Sequence, residues 1–258
     1  MVSQAPRASL HVGHLPPVPC VRQRTGVRLR APERAAGERQ ARLLHASTGG
    51  HLTVRELAPV GLRLSYSVAM PHQLKVTLEG IEPPVWRRLV VPSDFTLYDL
   101  HYVIQVAMGW EDCHLHDFTI KRQRYVVPGS DDFGDPADET KARLRDVAGP
   151  RSKIVYQYDF GDSWNHVIVV EKVLESADGP LPSCIAGARA CPPEDSGGAW
   201  GYEDKLQALA NSDDEDGEEL REWMGEDFDP EQFEVTVVNR QLLAAFRPAP
   251  SRKKKRKG

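Results

Sequence analysis

No stretch of this chain approaches the run of about 20 apolar residues that a membrane helix requires. The first 64 residues also lack the roughly 7–15-residue apolar core of a secretory signal. The expectation is therefore a cytoplasmic protein that does not contact the membrane. Four cysteines in 258 residues, Cys20, Cys113, Cys184 and Cys191, are too few for a disulfide framework, which fits a reducing compartment. There is no Gly-x-Gly-x-x-Gly, no Walker lysine loop and no Gly-x-Ser-x-Gly elbow, so nucleotide cradles and hydrolase elbows are excluded. Asp159-Phe160-Gly161 spells the kinase magnesium triplet, but without a His-Arg-Asp loop or a paired strand lysine it reads as chance. No internal repeat is visible.

Lysine is missing from residues 1–64, which hold ten arginines against three acids, a charge of +7. Residues 247–258 hold seven basic residues and no acid, again +7. Of 33 basic and 37 acidic residues overall, the body from 65 to 246 keeps 16 and 34, a formal charge of −18. An acidic body lies between two basic ends. Such a body repels duplex DNA, whose binding relies on basic groups displacing counterions, so weak nucleic-acid contact falls to the tails. The residues for it are Arg252, Lys253, Lys254, Lys255, Arg256 and Lys257, which equally fit a solvated end.

Residues 1–69 show no sustained periodicity and read as a disordered leader, with Met70 a candidate native start. Residues 247–258 read as a disordered basic tail. Between them, 70–246 reads as one domain. Leu74, Val76 and Leu78 alternate with polar neighbours as in a half-buried strand. Val85–Val91 forms a second strand, and Ser93 or Asp94 is expected to cap a helix carrying Leu97, Leu100, Val103, Ile104 and Ala107, stopped by Gly109. A third strand ends Trp110–Ile120. An acidic loop and a short amphipathic piece, Lys141–Val147, precede the central hairpin, Ile154–Phe160 and Trp164–Glu171, around an Asp-Phe-Gly-Asp-Ser turn with Gly161 at a positive φ. Apolar residues on both faces of the second arm predict a strand covered on both sides. Pro180–Gly198 reads as an ordered loop, and helices are expected at Tyr202–Ala210, Glu218–Met224 and Val237–Phe246. The order implies an α+β fold: a β-grasp-like mixed sheet with a helical layer.

The candidate functional patch is His114, His116, Asp159, Asp162, His166, Glu194, Asp195, Trp200 and Tyr202. On a strand, His114 and His116 would share one face roughly 6–7 Å apart. With His166, Cys184 and Cys191 they form a candidate ligand set for zinc or another divalent metal. The bland alternative has the histidines bonding backbone or turn acids while the cysteines simply pack. Glu194 and Asp195 are able to serve as an acid–base pair, although neighbouring acids in a Pro/Gly loop more often bond amides. The tryptophans fit core better than a ligand cage.

Leu74-Lys-Val-Thr-Leu with Pro-Pro-Val-Trp-Arg-Arg, the Leu-His motif after Trp110, Tyr-Asp-Phe-Gly-Asp-Ser-Trp-x-His and Cys-Pro-Pro-Glu-Asp-x-Gly-Gly-x-Trp-Gly-Tyr occur here in that order. Over Gln73 to Phe246 this resembles the plasmid pRiA4b ORF-3-like domain family. The resemblance implies a bacterial or archaeal protein of plasmids, insertion elements or chromosomes, some members being labelled resolvase-like passengers. It implies no established activity. A serine recombinase needs a nucleophilic serine backed by arginines and a helix-turn-helix, and neither is apparent. Ser196 stands where the family often has cysteine, which would remove one ligand from any cysteine-held metal. The leading expectation is a binding or interaction module for an unknown protein or small ligand. The rival is a metal-dependent enzyme or nucleic-acid-processing accessory protein using the same patch.

Overall fold

The computed structural model describes residues 70–130, 134–211 and 215–246. The leader, Cys20 and the tail cations Arg252–Lys257 lie outside the described residues. The elements run β1 (His72–Leu78), β2 (Trp86–Val91), α1 (Leu97–Met108), β3 (His116–Ile120), β4 (Gln123–Val126), β5 (Ala137–Asp138), α2 (Leu144–Val147), β6 (Lys153–Tyr158), β7 (Trp164–Val173), β8 (Ser183–Ala188), α3 (Gly198–Asn211), α4 (Glu215–Met224) and α5 (Val235–Ala245). Eight strands form one mixed sheet in the order β5-β4-β3-β6-β7-β1-β2-β8, antiparallel except for β4 against β5. With five helices this is an α+β fold.

The hairpin β6–β7 occupies the middle of the sheet, where its register pairs Tyr158 with Trp164 and Tyr156 with His166. Alternation explains its position: Trp164, His166, Ile168 and Val170 are buried on one face, and the three apolar ones join Leu74, Val76, Phe118 and Tyr156 in a single core. Each such side chain removed from water contributes about 1.5–3 kcal/mol. Val167 and Val169, on the other face, are only half-buried. The strand is thus flanked on both edges, with one face fully buried and the other half-buried.

The central turn also departs from expectation. Asp159 and Ser163 take positive φ, both 55°, and Gly161 does not. Asp159 spares its turn the need for glycine by accepting the Gly161 N–H on its own Oδ1 at 2.9 Å. Helix α1 is capped at Thr96, not at Ser93 or Asp94: Thr96 and Asp99 form a reciprocal capping box, and Gly109 at φ 96° ends the helix. Ser93 instead bonds the His72 ring at 2.8 Å. Strands β4, β5 and β8 were not legible in the sequence. β8 is built of Ser-Cys-Ile-Ala-Gly-Ala, poor in strand formers, and exists because it pairs with the edge of β2 while α5 packs on it. Gly187 is required there, since a Cβ would run into the Phe233 ring.

Candidate functional site

Two segments far apart in sequence meet at one end of the sheet: the hairpin turn 159–163 and the loop 191–198. The Trp110 indole N–H donates to the Pro192 carbonyl at 2.9 Å, and the Glu111 N–H donates to Glu194 Oε1 at 2.8 Å. The Gly197 N–H donates to Asp162 Oδ2 at 2.8 Å, which docks the loop on the turn. At Gly198 a Cβ would lie 2.5 Å from the Asp162 carbonyl oxygen, so only glycine lets the two backbones approach this closely. The Gly-Gly pair at the start of α3 is therefore a clamp, and Asp162 positions it.

The clamp encloses a small acidic pocket. His114 Nε2 lies 3.2 Å from Asp195 Oδ1, 3.6 Å from Asp159 Oδ2 and 3.9 Å from Glu194 Oε2. Neither His114 Nε2 nor Glu194 Oε2, both shielded from solvent, makes a hydrogen bond. The opposite oxygens of two carboxylates are anchored. Glu194 Oε1 accepts the Glu111 N–H and, at 2.9 Å, the Tyr158 hydroxyl, and Asp159 Oδ1 accepts the Gly161 N–H. Each of these two acids thus has one oxygen fixed by the scaffold and one turned to His114. Burial raises the Glu194 carboxyl above its ordinary range and the Tyr158 phenol above its own, each the largest influence on its group. Asp159 and Asp195 hold their places from left-handed backbone, at φ 55° and 57°. Asp tolerates that region better than most residues, though at some cost.

His116 points elsewhere. His114 precedes β3, so the two histidines are not the one-faced strand pair that their spacing implied. His116 stacks on His101 of α1 with centroids 3.5 Å apart and planes within 4°, and its Nε2 lies 3.0 Å from Oε1 of Glu139, which is fully buried. His101 Nε2 lies 2.9 Å from Asp112 Oδ1, and its Nδ1 2.9 Å from the Tyr156 hydroxyl. Burial, and then the neighbouring His116, push His101 down to about 4, so it is neutral at pH 7. One ligand atom from each of His101, Asp112 and His116 falls within 4.8 Å of the others. The stacking argues against a shared ion: ring lone pairs lie in the ring planes, and one ion about 2.1 Å from each nitrogen is unable to lie in two parallel planes this far apart. The cluster is better read as a buried polar brace between α1, β3 and β6.

The remaining expected residues scatter. His166 is fully buried, Nδ1 near the Trp164 and Tyr156 carbonyls at 3.1 and 3.3 Å, and burial pushes it down to about 4. Cys184 lies on β8, where Asn239 brackets its backbone, and Cys191 is buried near Arg87. Burial raises both thiols. No three of His114, His116, His166, Cys184 and Cys191 belong to either His/Cys/Asp/Glu group found among the described residues. Tyr202 is buried, whereas Trp200 is 88% exposed on the first turn of α3. His101, Asp112, Glu139 and Tyr158 escaped the sequence reading. His101 interrupts the apolar stripe of α1 and Tyr158 shares a face with Tyr156, both usable signals; Glu139 gives none.

An eight-stranded mixed sheet carrying this clamp defines an α+β domain of one recognisable kind. The chain belongs to the family described as plasmid pRiA4b ORF-3-like protein, which matches residues 71–237. It is 37% identical over 180 residues to the uncharacterized protein y4hQ of Sinorhizobium fredii, covering 68% of this chain and 92% of that one. The crystal structure of MM3350, a protein of unknown function from Methanosarcina mazei Go1, is similar at a TM-score of 0.61 and 41% identity, covering 65% of this chain and 96% of the other. Among the described residues no helix is long and apolar enough to cross a membrane.

Proposed function

We propose that the domain is a cytoplasmic binding module whose working surface is the His114–Asp159–Glu194–Asp195 pocket, and that its ligand presents a positive charge. The observation that carries this reading is the convergence of three carboxylates within 3.2–3.9 Å of one unbonded imidazole nitrogen. Unmatched negative charge gathered by a scaffold that fixes it in place attracts a cation and repels phosphate. Asp195, 38% exposed, marks the open side of the pocket, while His114 Nε2 and Glu194 Oε2 face inward. Next to its residues in sequence stand Leu115 and Phe160, large apolar side chains that are 48% and 37% exposed and offer a contact surface. The plasmid association in the family's name supports a role beside mobile DNA, exerted through the basic ends rather than this acidic face.

Thermal unfolding against cationic probes (divalent chlorides, methylguanidinium) and anionic ones (nucleotides, oligonucleotides) tests the charge of the ligand. A bound cation at about 100 times its Kd stabilises by about 2.7 kcal/mol, roughly 5–10 °C for a domain this size. The gain should vanish in Asp159→Asn with Asp195→Asn. Stabilisation by anions alone would sink the reading.

A further inference from the structure

Resting on the acidic pocket just described, we infer that it is a divalent transition-metal site with one nitrogen and two oxygen ligands, His114 Nε2, Asp159 Oδ2 and Asp195 Oδ1, with the Glu194 carboxylate beside them adding negative charge. This set shares only His114 with the histidine–cysteine set expected from the sequence.

The spacing discriminates between cations. Ligand atoms about 2.1 Å from a zinc-like ion stand about 3.0 Å apart along an octahedral edge and about 3.4 Å apart in a tetrahedron. Around a lysine ammonium, contacts of about 2.8 Å hold acceptors about 4.6 Å apart. The separations from His114 Nε2 are 3.2, 3.6 and 3.9 Å, and Asp159 and Asp195 offer atoms within 4.8 Å of each other. The three separations from His114 match ligands that share one ion and are shorter than the spacing of acceptors around an ammonium.

A protonated His114 filling the pocket by itself is the competing account. Its single Nε2–H would point at one carboxylate, yet none of the three meets hydrogen-bond geometry, and Glu194 Oε2 also stays unbonded. The second shell fits a metal better. Ligating groups in metal sites are themselves held by outer hydrogen bonds that fix their aim. Here the Tyr158 hydroxyl and the Glu111 N–H hold Glu194, while the Gly161 N–H holds Asp159, each on the oxygen turned away from His114. Mixed imidazole and carboxylate donors favour zinc or manganese(II) over calcium, which prefers six to eight oxygens. Asp195, the most exposed of the ligands at 38%, marks the side from which water or an outside ligand would reach the ion.

The test is isothermal titration calorimetry of zinc chloride and manganese chloride into chelator-treated full-length protein, beside His114→Ala, Asp195→Asn and Glu194→Gln, with circular dichroism to verify folding. The expected result is one ion per chain, zinc tighter than manganese, at least tenfold weaker binding in folded His114→Ala and Asp195→Asn, and a smaller loss in Glu194→Gln. Absence of saturable binding, or binding unchanged in the variants, overturns the inference. A parallel titration with methylguanidinium and a lysine-rich peptide separates the two levels. Should these bind in a His114- and Asp195-dependent way while both metals fail, the cationic pocket stands and the metal falls. Should neither bind, both fall.

Discussion

Replacing Gly198 by alanine should do far more damage than the same change at another left-handed glycine. At φ 69° an added Cβ incurs about 1–2 kcal/mol of backbone strain. It would also stand 2.5 Å from the Asp162 carbonyl oxygen, a backbone atom unable to swing aside as a side chain would. Relieving that overlap means lifting the 194–198 loop from the hairpin turn, an overpacking cost of about 1–3 kcal/mol. Gly129 is the internal control: φ is 80° and nothing lies within 4 Å of its Cβ position, so Gly129→Ala pays the backbone strain alone. In urea titrations followed by circular dichroism, Gly198→Ala should fall below Gly129→Ala by about 1–3 kcal/mol at an unchanged m-value. Because Glu194 and Asp195 ride on the displaced loop, zinc affinity should drop in Gly198→Ala and hold in Gly129→Ala. Two variants within about 0.5 kcal/mol of each other, below the size of a specific packing effect, would refute the clamp.

Acid should destabilise the domain through two buried histidines. His101 and His166, pushed down from 6.5 to about 4 by burial, stay neutral when folded and take up protons on unfolding. Stability therefore falls as pH drops from 6.5 toward 4, by up to about 1.4 kcal/mol per pH unit for each group. His166 meets only backbone carbonyls and aromatic rings, so urea midpoints for His166→Phe at pH 7, 6 and 5 should show a slope shallower by nearly one proton; an unchanged slope would mean that His166 is already charged in the fold. Deleting residues 247–258, which removes seven cations, should weaken any duplex-DNA binding and flatten its salt dependence, since the −18 body opposes it. Binding unchanged by the truncation would place the contact elsewhere.

The central hairpin could be read from the sequence because period-two patterning in β6 and β7 is a local property of the chain. The same holds for β1, β2, the apolar stripe of α1 and the acidic middle between basic ends. Strand β8 was hidden because its residues have little intrinsic preference for strand, and the free edge of β2 imposes that state on them. Site residues divide along the same line. His114, Asp159, Glu194 and Asp195 drew attention by type and by their Pro/Gly/Asp surroundings, but nothing local separated His114 from His116. Their divergence follows from where β3 begins and from a stacking partner on α1. Which carboxylates face His114 was decided only when a glycine without a side chain let residues 35 positions apart, Asp162 and Gly197, close on each other. Alternation along a strand is written in neighbouring residues, whereas a pocket depends on contacts between backbones that no short stretch of sequence encodes.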